Sequence, residues 1–184
     1  MFKIFWFVRF LFYKLFLLNG KGWKSYIGKP VFFSGLKNVN AGEKFRLYPG
    51  WRIETHDGGK IVIHDDVSVG HGLHLISVEK QVTIGKSTVI SSNVMITNSD
   101  HGYEDLNVPI YQQNMISKET IIGECCFIGA GAKILPGTVL GKQCVVGANA
   151  VVKGCFPDRC VISGAPAKII KQYDHSLNEW VRVK

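Results

Sequence analysis

The 184-residue chain predicts an all-β fold, a three-sided parallel β-helix, on three observations. Aliphatic residues stand six apart without a slip at Ile122, Ile128, Ile134, Leu140, Val146 and Val152, with Gly123, Gly129, Gly141 and Gly147 following four of them. A small or compact residue lies two positions before each: Thr120, Cys126, Ala132, Thr138, Cys144 and Ala150. The same spacing recurs upstream at Ile63, Val69 and Leu75, then at Ile84, Ile90 and Ile96. An α-helix repeats every ~3.6 residues and a strand every second one, so neither explains the period. A triangular solenoid does, with one hexad per side and three per turn.

Each part of the hexad has a physical reason. The aliphatic side chain fills the narrow prism, and the small residue faces inward near a corner, where bulk would overpack the interior. Glycine accepts the backbone angles that side chains resist at corners. Cys126, Cys144 and Cys160 occupy the small inward position, which makes them packing residues rather than ligands or nucleophiles. Residues 31–60 carry a weaker version of the repeat and read as the first, irregular coils. The pattern resumes at Cys160 and Ile162. After Lys168 the tail reads as a cap on the open end, and Ser176-Leu177-Asn178-Glu179 has the spacing of a capping box, which predicts a short helix.

Residues 1–22 form a separate apolar and basic element. MFKIFWFVRFLFYKLFLL is broken by Lys3, Arg9 and Lys14, so no apolar run approaches the ~20 residues of a membrane span. The charges and the lack of a small-residue cleavage site also argue against a signal peptide. On a helical wheel the cations do not share one face. The composition suits a helix at a bilayer interface, with aromatic rings at headgroup depth and long basic side chains snorkelling outward; packing on protein is the alternative. Asn19-Gly20-Lys21-Gly22 reads as helix stop and linker. The expected organisation is therefore helix 1–22, β-helix 23–170 with a loop at 97–121, and cap 171–184.

A net charge of +8 favours anionic partners, with the basic residues scattered except at the N-terminus. No zinc-finger spacing, recognition helix or RNA-binding aromatic motif is present, which argues against nucleic acid. Five cysteines, an odd number without a disulfide-rich composition, fit a reducing, cytoplasmic compartment.

The hexads stop between Thr97 and Thr120. Some twenty polar residues inserted into a regular solenoid make a protruding loop, and such loops are commonly functional. This one holds a single histidine, His101. Acyl transfer to a hydroxyl needs a base that takes the alcohol proton and returns it, and histidine titrates in the right range.

Over residues 60–170 the sequence resembles the hexapeptide-repeat O-acetyltransferases, including those that act on galactosides, maltose, O-antigen, colanic acid and capsule sugars. The matching stretches are Ile96-Thr97-Asn98-Ser99-Asp100-His101, the loop to Ile122-Gly123, IGAGAKILPGTVLG from Ile128, and Ser163-Gly164-Ala165-Pro166-Ala167-Lys168. The resemblance implies a left-handed parallel β-helix, a homotrimer with sites between prisms, and acetyl-CoA as donor with no metal. It implies His101 as general base. Gly129, Ala130, Gly131, Ala148 and Ala150 would lie along the pantetheine, and Ala165 and Lys168 near the nucleotide. His74, Asn93 and Asp100 would meet the acceptor, although Asp100 could instead orient His101. One departure is Phe127-Ile128-Gly129 where the family often has Trp-Ile-Gly, which loses an indole donor.

Two further enzyme readings and one non-enzyme reading compete. An N-acetyltransferase on a nucleotide-linked amino sugar would use the same fold and base. A γ-type carbonic anhydrase would bind zinc through histidines such as His64, His71, His74 and His101. A scaffold with a decayed site is opposed by the intact His101 and Ala165–Lys168 motif. The favoured expectation is O-acetylation of a sugar in surface-polysaccharide synthesis, at the inner face of the cytoplasmic membrane.

Overall fold

The computed structural model describes residues 2–16 and 24–183, so the expected helix stop at Asn19–Gly22 lies outside the described residues. Three parallel sheets form the sides of a prism. The first face stacks Tyr26–Ile27, Arg46–Leu47, Ser68–Val69, Val89–Ile90, Phe127–Ile128, Val145–Val146 and Cys160–Gly164. The second stacks Pro30–Ser34, Trp51–His56, His74–Val78, Met95–Thr97, Lys133–Ile134 and Val151–Val152. The third runs from Val39–Ala41 through Lys60–Ile63, Gln81–Ile84, Thr120–Ile122 and Val139–Leu140 to Cys155–Phe156.

The register puts like residues over like. Ile53, Leu75, Ile96, Ile134 and Val152 pair in one row, and Ile63, Ile84, Ile122 and Leu140 in another. Nearly all of them are sealed from solvent. At ~25 cal/mol per Å² of apolar area, these rows supply the main driving force for folding. The first coil keeps part of the expected irregularity: its second-face strand pairs with a register shift between Pro30 and Phe32, and a 3-10 turn at Leu36–Asn38 precedes Val39–Ala41, while its first and third faces pair in register.

The small inward residues keep their polar atoms satisfied. Thr88 Oγ1 donates to the Gly123 carbonyl at 3.0 Å and accepts from the Cys126 amide at 3.2 Å. Cys126 Sγ donates to the Gly141 carbonyl, and Cys144 and Cys160 stack with 3.5 Å between sulfurs. All three cysteines are buried, as their repeat positions require.

One corner shows why glycine and asparagine are used. Gly72, Asn93, Gly131 and Asn149 all have left-handed φ, between 56° and 71°, at the edge joining first and second faces. Each corner amide donates to the coil below: Asn93 to His71, Gly131 to Ser92, Asn149 to Ala130. The asparagine side chain lies where a Cβ on the glycine beneath it would stand: such a Cβ would come within 2.3 Å of Asn93 Oδ1 at Gly72 and 2.1 Å of Asn149 Oδ1 at Gly131. Where asparagine stands at this corner, the residue beneath it is glycine because a Cβ there would meet the asparagine amide.

Both prism ends are covered. α1 (Phe2–Phe16) packs Phe10 and Tyr13 onto the first coil, against Phe33 and Trp51, whose indole donates to the Gly28 carbonyl at 2.8 Å. At the other end the expected short helix is replaced by an antiparallel hairpin, Ala167–Asp174 with Glu179–Arg182. The Asp174 carboxylate accepts from the amides of Ser176 and Leu177, closing an Asx turn that competes with helix initiation. The hairpin starts at Ala167, four residues before the expected cap boundary at 171, and continues the first face antiparallel to Cys160–Gly164.

Candidate active site

The loop leaves the edge between second and third faces through a tied neck. Asn98, wholly buried, accepts from the Val78 amide through Oδ1 at 2.8 Å and donates to the Val78 carbonyl through Nδ2 at 3.1 Å. Thr120 Oγ1 donates to the Thr97 carbonyl at 3.1 Å, and the Lys118 amide to the Asn98 carbonyl at 2.8 Å. Beyond the neck, Ser99–His101 and Met115–Ser117 form a two-stranded antiparallel ribbon, with His101 opposite Met115. The tip is tied by Gln113, which donates to the carbonyls of Asp105 and Val108.

His101 is exposed on this ribbon, in a cleft of ≈ 140 Å³ lined by Asp100, Glu104, Ile116, Lys118, Pro136 and Lys153 among others. Ligand sites usually enclose ~300–1,000 Å³, so this cleft by itself is small for one. Asp100 lies in the same cleft, and its carboxylate is 3.8 Å from Lys153 Nζ. Lys118 and Lys153 were not anticipated from the sequence. They sit 35 positions apart, and only the stacking of coils brings them together.

His74 lies on the outer second face. Its Nε2 is 3.8 Å from Glu54 Oε1, and Glu54 also meets the Arg52 guanidinium and, at 3.2 Å, His56 Nε2. The hydrogen bond from Arg52 holds the Glu54 carboxyl below the usual carboxylate range, against the opposing effect of burial. Burial, then the Arg52 charge, pushes the His74 imidazole down and favours its neutral form. Glu54 was missed, although Arg52-Ile53-Glu54-Thr55-His56 alternates as an outward-facing polar strand should. His74 Nε2 and Ser117 Oγ are the two buried side-chain atoms lacking a hydrogen-bond partner among the described residues. Ser117, at the loop neck, also escaped the sequence reading.

The remaining expected residues gather on a different edge. Ala130 and Ala148, both exposed, lie on adjacent coils at the junction of first and second faces, with Gly129 and Gly131 beside them. Exposed Ala165 and Lys168 lie where the cap hairpin turns above the same edge. Asn93 is on this edge too, as a left-handed corner residue, and so is not brought to His101 within a protomer. Ala150 corrects a detail. Its side chain is sealed inside the prism, its amide donates to Gly147 and its carbonyl accepts from Lys133, so the fold consumes its polar groups. Phe127 stands half-exposed on the first face between Val89 and Val145.

The four histidines weighed as zinc ligands do not converge. His71 packs on Tyr48 at the first–second edge, 5.2 Å between ring centroids, while His64 follows Lys60–Ile63 on the third face. Among the described residues of one protomer, no three His, Cys, Asp or Glu side chains group as metal ligands.

Residues 119–154 match the family described as bacterial transferase hexapeptide (six repeats). A protein of Escherichia coli K12 named for lipopolysaccharide biosynthesis O-acetyl transfer, WbbJ, is 37% identical over 158 residues, covering 82% of this chain and 80% of that one. The polysialic acid O-acetyltransferase of Escherichia coli O1:K1 is 34% identical over 115 residues, 62% of this chain but only 37% of that longer protein. Among solved structures, an N-acyltransferase from Bacillus cereus, AntD, with a dTDP-amino sugar and coenzyme A superposes with TM-score 0.76 at 19% identity, covering 92% of this chain and 90% of that one. That last likeness is one of fold.

Proposed function

Because the chain belongs to the bacterial hexapeptide-repeat acetyltransferases, we propose that it moves an acetyl group from acetyl-CoA to a sugar hydroxyl in surface-polysaccharide synthesis, with His101 as base. The observation that carries this is the placement of an exposed imidazole on a ribbon whose neck is fixed by buried hydrogen bonds. His101 accepts the hydroxyl proton as the oxygen attacks the thioester carbon. The tetrahedral oxyanion then collapses, the C–S bond breaks, and the thiolate leaves with the proton returned by the imidazolium. Lys118 and Lys153 place positive charge beside the cleft where negative charge develops.

The first–second edge suits the donor. At Ala130 and Ala148 no side chain larger than methyl projects, so an extended pantetheine can lie against the backbone. Lys168 stands at its far end for phosphate.

This donor edge and the His101 edge are separated by the second face, about 16 Å for five residues from Asn93 to Asn98. A second copy, laid alongside, brings the donor edge of one prism to the loop of another. The small cleft at His101 and the nearly full exposure of Leu106 at the loop tip support the same homotrimer reading. Cytoplasmic placement at the inner membrane face, beside lipid-linked glycans, belongs to this proposal.

The test is CoA release from acetyl-CoA with a panel of sugars and lipid-linked glycans. Release that requires acceptor, with turnover about 10²–10⁴-fold lower in His101→Ala, supports the reading. Undiminished release in the variant removes His101 from the mechanism. Amino-sugar nucleotides in the same panel separate O- from N-transfer.

A further inference from the structure

α1 is amphipathic in the wrong sense for water. At about 100° per residue, Ile4, Phe5, Val8, Phe12 and Leu15 fall within an arc of about 100°. Each is at least 55% exposed. The opposite side, turned to the prism, carries the polar groups as well as the anchors. Trp6 packs between Tyr26 and Tyr48 at 5.7 and 5.5 Å, and Phe10 and Tyr13 are buried. Arg9 folds back to donate to the Ile27 carbonyl at 3.4 Å, and Lys3 Nζ lies 5.7 Å from the Tyr26 ring centroid. The cations that break the apolar run in the sequence therefore do not break the outer stripe. Val31, 77% exposed on the first coil, adds to the apolar surface at this end.

The surroundings of the stripe are basic. The first 42 residues contain seven of the 22 lysines and arginines and none of the 14 acidic residues; the first carboxylate is Glu43. The rest of the chain is therefore almost neutral. Lys24, Lys29 and Lys37 are exposed on and beside the first coil. An apolar stripe at an end of the chain that carries exposed lysines and no carboxylate before Glu43 matches one partner chemistry, a bilayer with anionic headgroups: side chains enter the acyl boundary while lysines meet phosphate. A second copy fits poorly, because joining two such ends would set like charges together. No helix among the described residues is long and apolar enough to cross a membrane.

We propose that the N-terminal end of the prism, through the outer stripe of α1 and the lysines of the first coil, docks in plane on an anionic lipid surface. This deepens the membrane-face part of the proposed function and is independent of the chemistry. Parallel prisms in an assembly would present their helices to one plane, and the linked copies would bind more tightly than one.

The experiment is co-sedimentation of the full chain with vesicles of phosphatidylcholine, with and without about 30% phosphatidylglycerol, in the absence of acetyl-CoA and acceptor. Binding to the anionic vesicles is expected, weakened by added salt. It should fall at least about tenfold in Ile4→Ser/Phe5→Ser/Phe12→Ser. Those side chains are exposed, so an unchanged thermal midpoint verifies that the variant folds. Lys24→Glu/Lys29→Glu should lose the anionic preference while keeping its fold. Wild-type protein left in the supernatant, or a triple variant that binds as well as wild type, overturns the proposal. So does a wild-type assembly in lipid-free solution that loses mass in the triple variant without vesicle binding, which would make the stripe a contact between copies. Failure here leaves acetyl transfer untouched, since no turnover is measured.

Discussion

Glu54 and His74, on neighbouring coils of the second face, hold their carboxylate and imidazole 3.8 Å apart, with the carboxylate nearly sealed from solvent. Arg52 pairs with the carboxylate, while burial and then the Arg52 charge hold the His74 imidazole below its ordinary range. Both groups make stability rise with pH, in separate windows. His74 has its folded pKa lowered, so the unfolded chain binds the proton more readily and stability is lost as pH falls below the unfolded value of ~6.5. Glu54 is also depressed, so its contribution is present above the unfolded value of ~4.3 and lost as pH falls through the lower folded value. Thermal midpoints measured from pH 8 to pH 4 should show His74→Gln flattening the upper window alone. A His74→Gln profile that parallels wild type from pH 7 to pH 5 contradicts the assignment.

Asn98 ties the loop to Val78 with two buried hydrogen bonds. Asn98→Ala leaves a buried amide and carbonyl unpaired, at a cost of about 1–3 kcal/mol. It also frees the ribbon that carries His101. Turnover should fall at least about tenfold while the pH profile of the residual activity keeps its shape, because the proposed base, His101, is unaltered. A changed profile with unchanged thermal midpoint would mean that Asn98 acts on the chemistry directly.

Gly131→Ala should destabilise by about 1–3 kcal/mol, because the new Cβ meets Asn149 Oδ1 and the backbone is left-handed. Asn149→Gly removes the clash and not the strain. The double variant should recover part of the loss in chemical denaturation, and fully additive losses would show that the asparagine does not occupy that space in solution.

Leu106, 95% exposed at the tip of the loop, is unsupported by its own protomer. If it rests on a neighbouring prism, Leu106→Asp should lower the mass measured by light scattering and reduce transfer, with little change in secondary structure. An unaltered mass with full activity would show that the tip makes no contact between copies.

Much of the fold was legible because the solenoid writes itself into the chain. Each hexad contacts only its neighbours, so Ile122 to Val152 announce the period without any long-range information. The insertion was legible for the same reason, as the place where Thr97 and Thr120 bracket a lost rhythm, and His101 stood out inside it. The tail misled, since Ser176 and Glu179 have capping-box spacing but Asp174 takes the amides first and the last sheet offers an edge to pair with. Local signals decide an element only when no tertiary partner competes for its hydrogen bonds.

The sequence by itself determined the prism, its corner chemistry and the single histidine on the loop, because these depend on periodicity and residue type. Only the tertiary structure decided what lies beside what. It placed Lys118 and Lys153 at the His101 cleft, brought Glu54 within 3.8 Å of His74, put Ala130 and Ala148 on the opposite edge of the second face from the His101 loop, and turned Phe10 and Tyr13 inward so that the outer stripe of α1 is apolar. The physical reason is that stacked coils bring together residues about one turn of chain apart, at offsets that loops and bulges alter. Which side of a helix meets the protein depends on the surface it finds there.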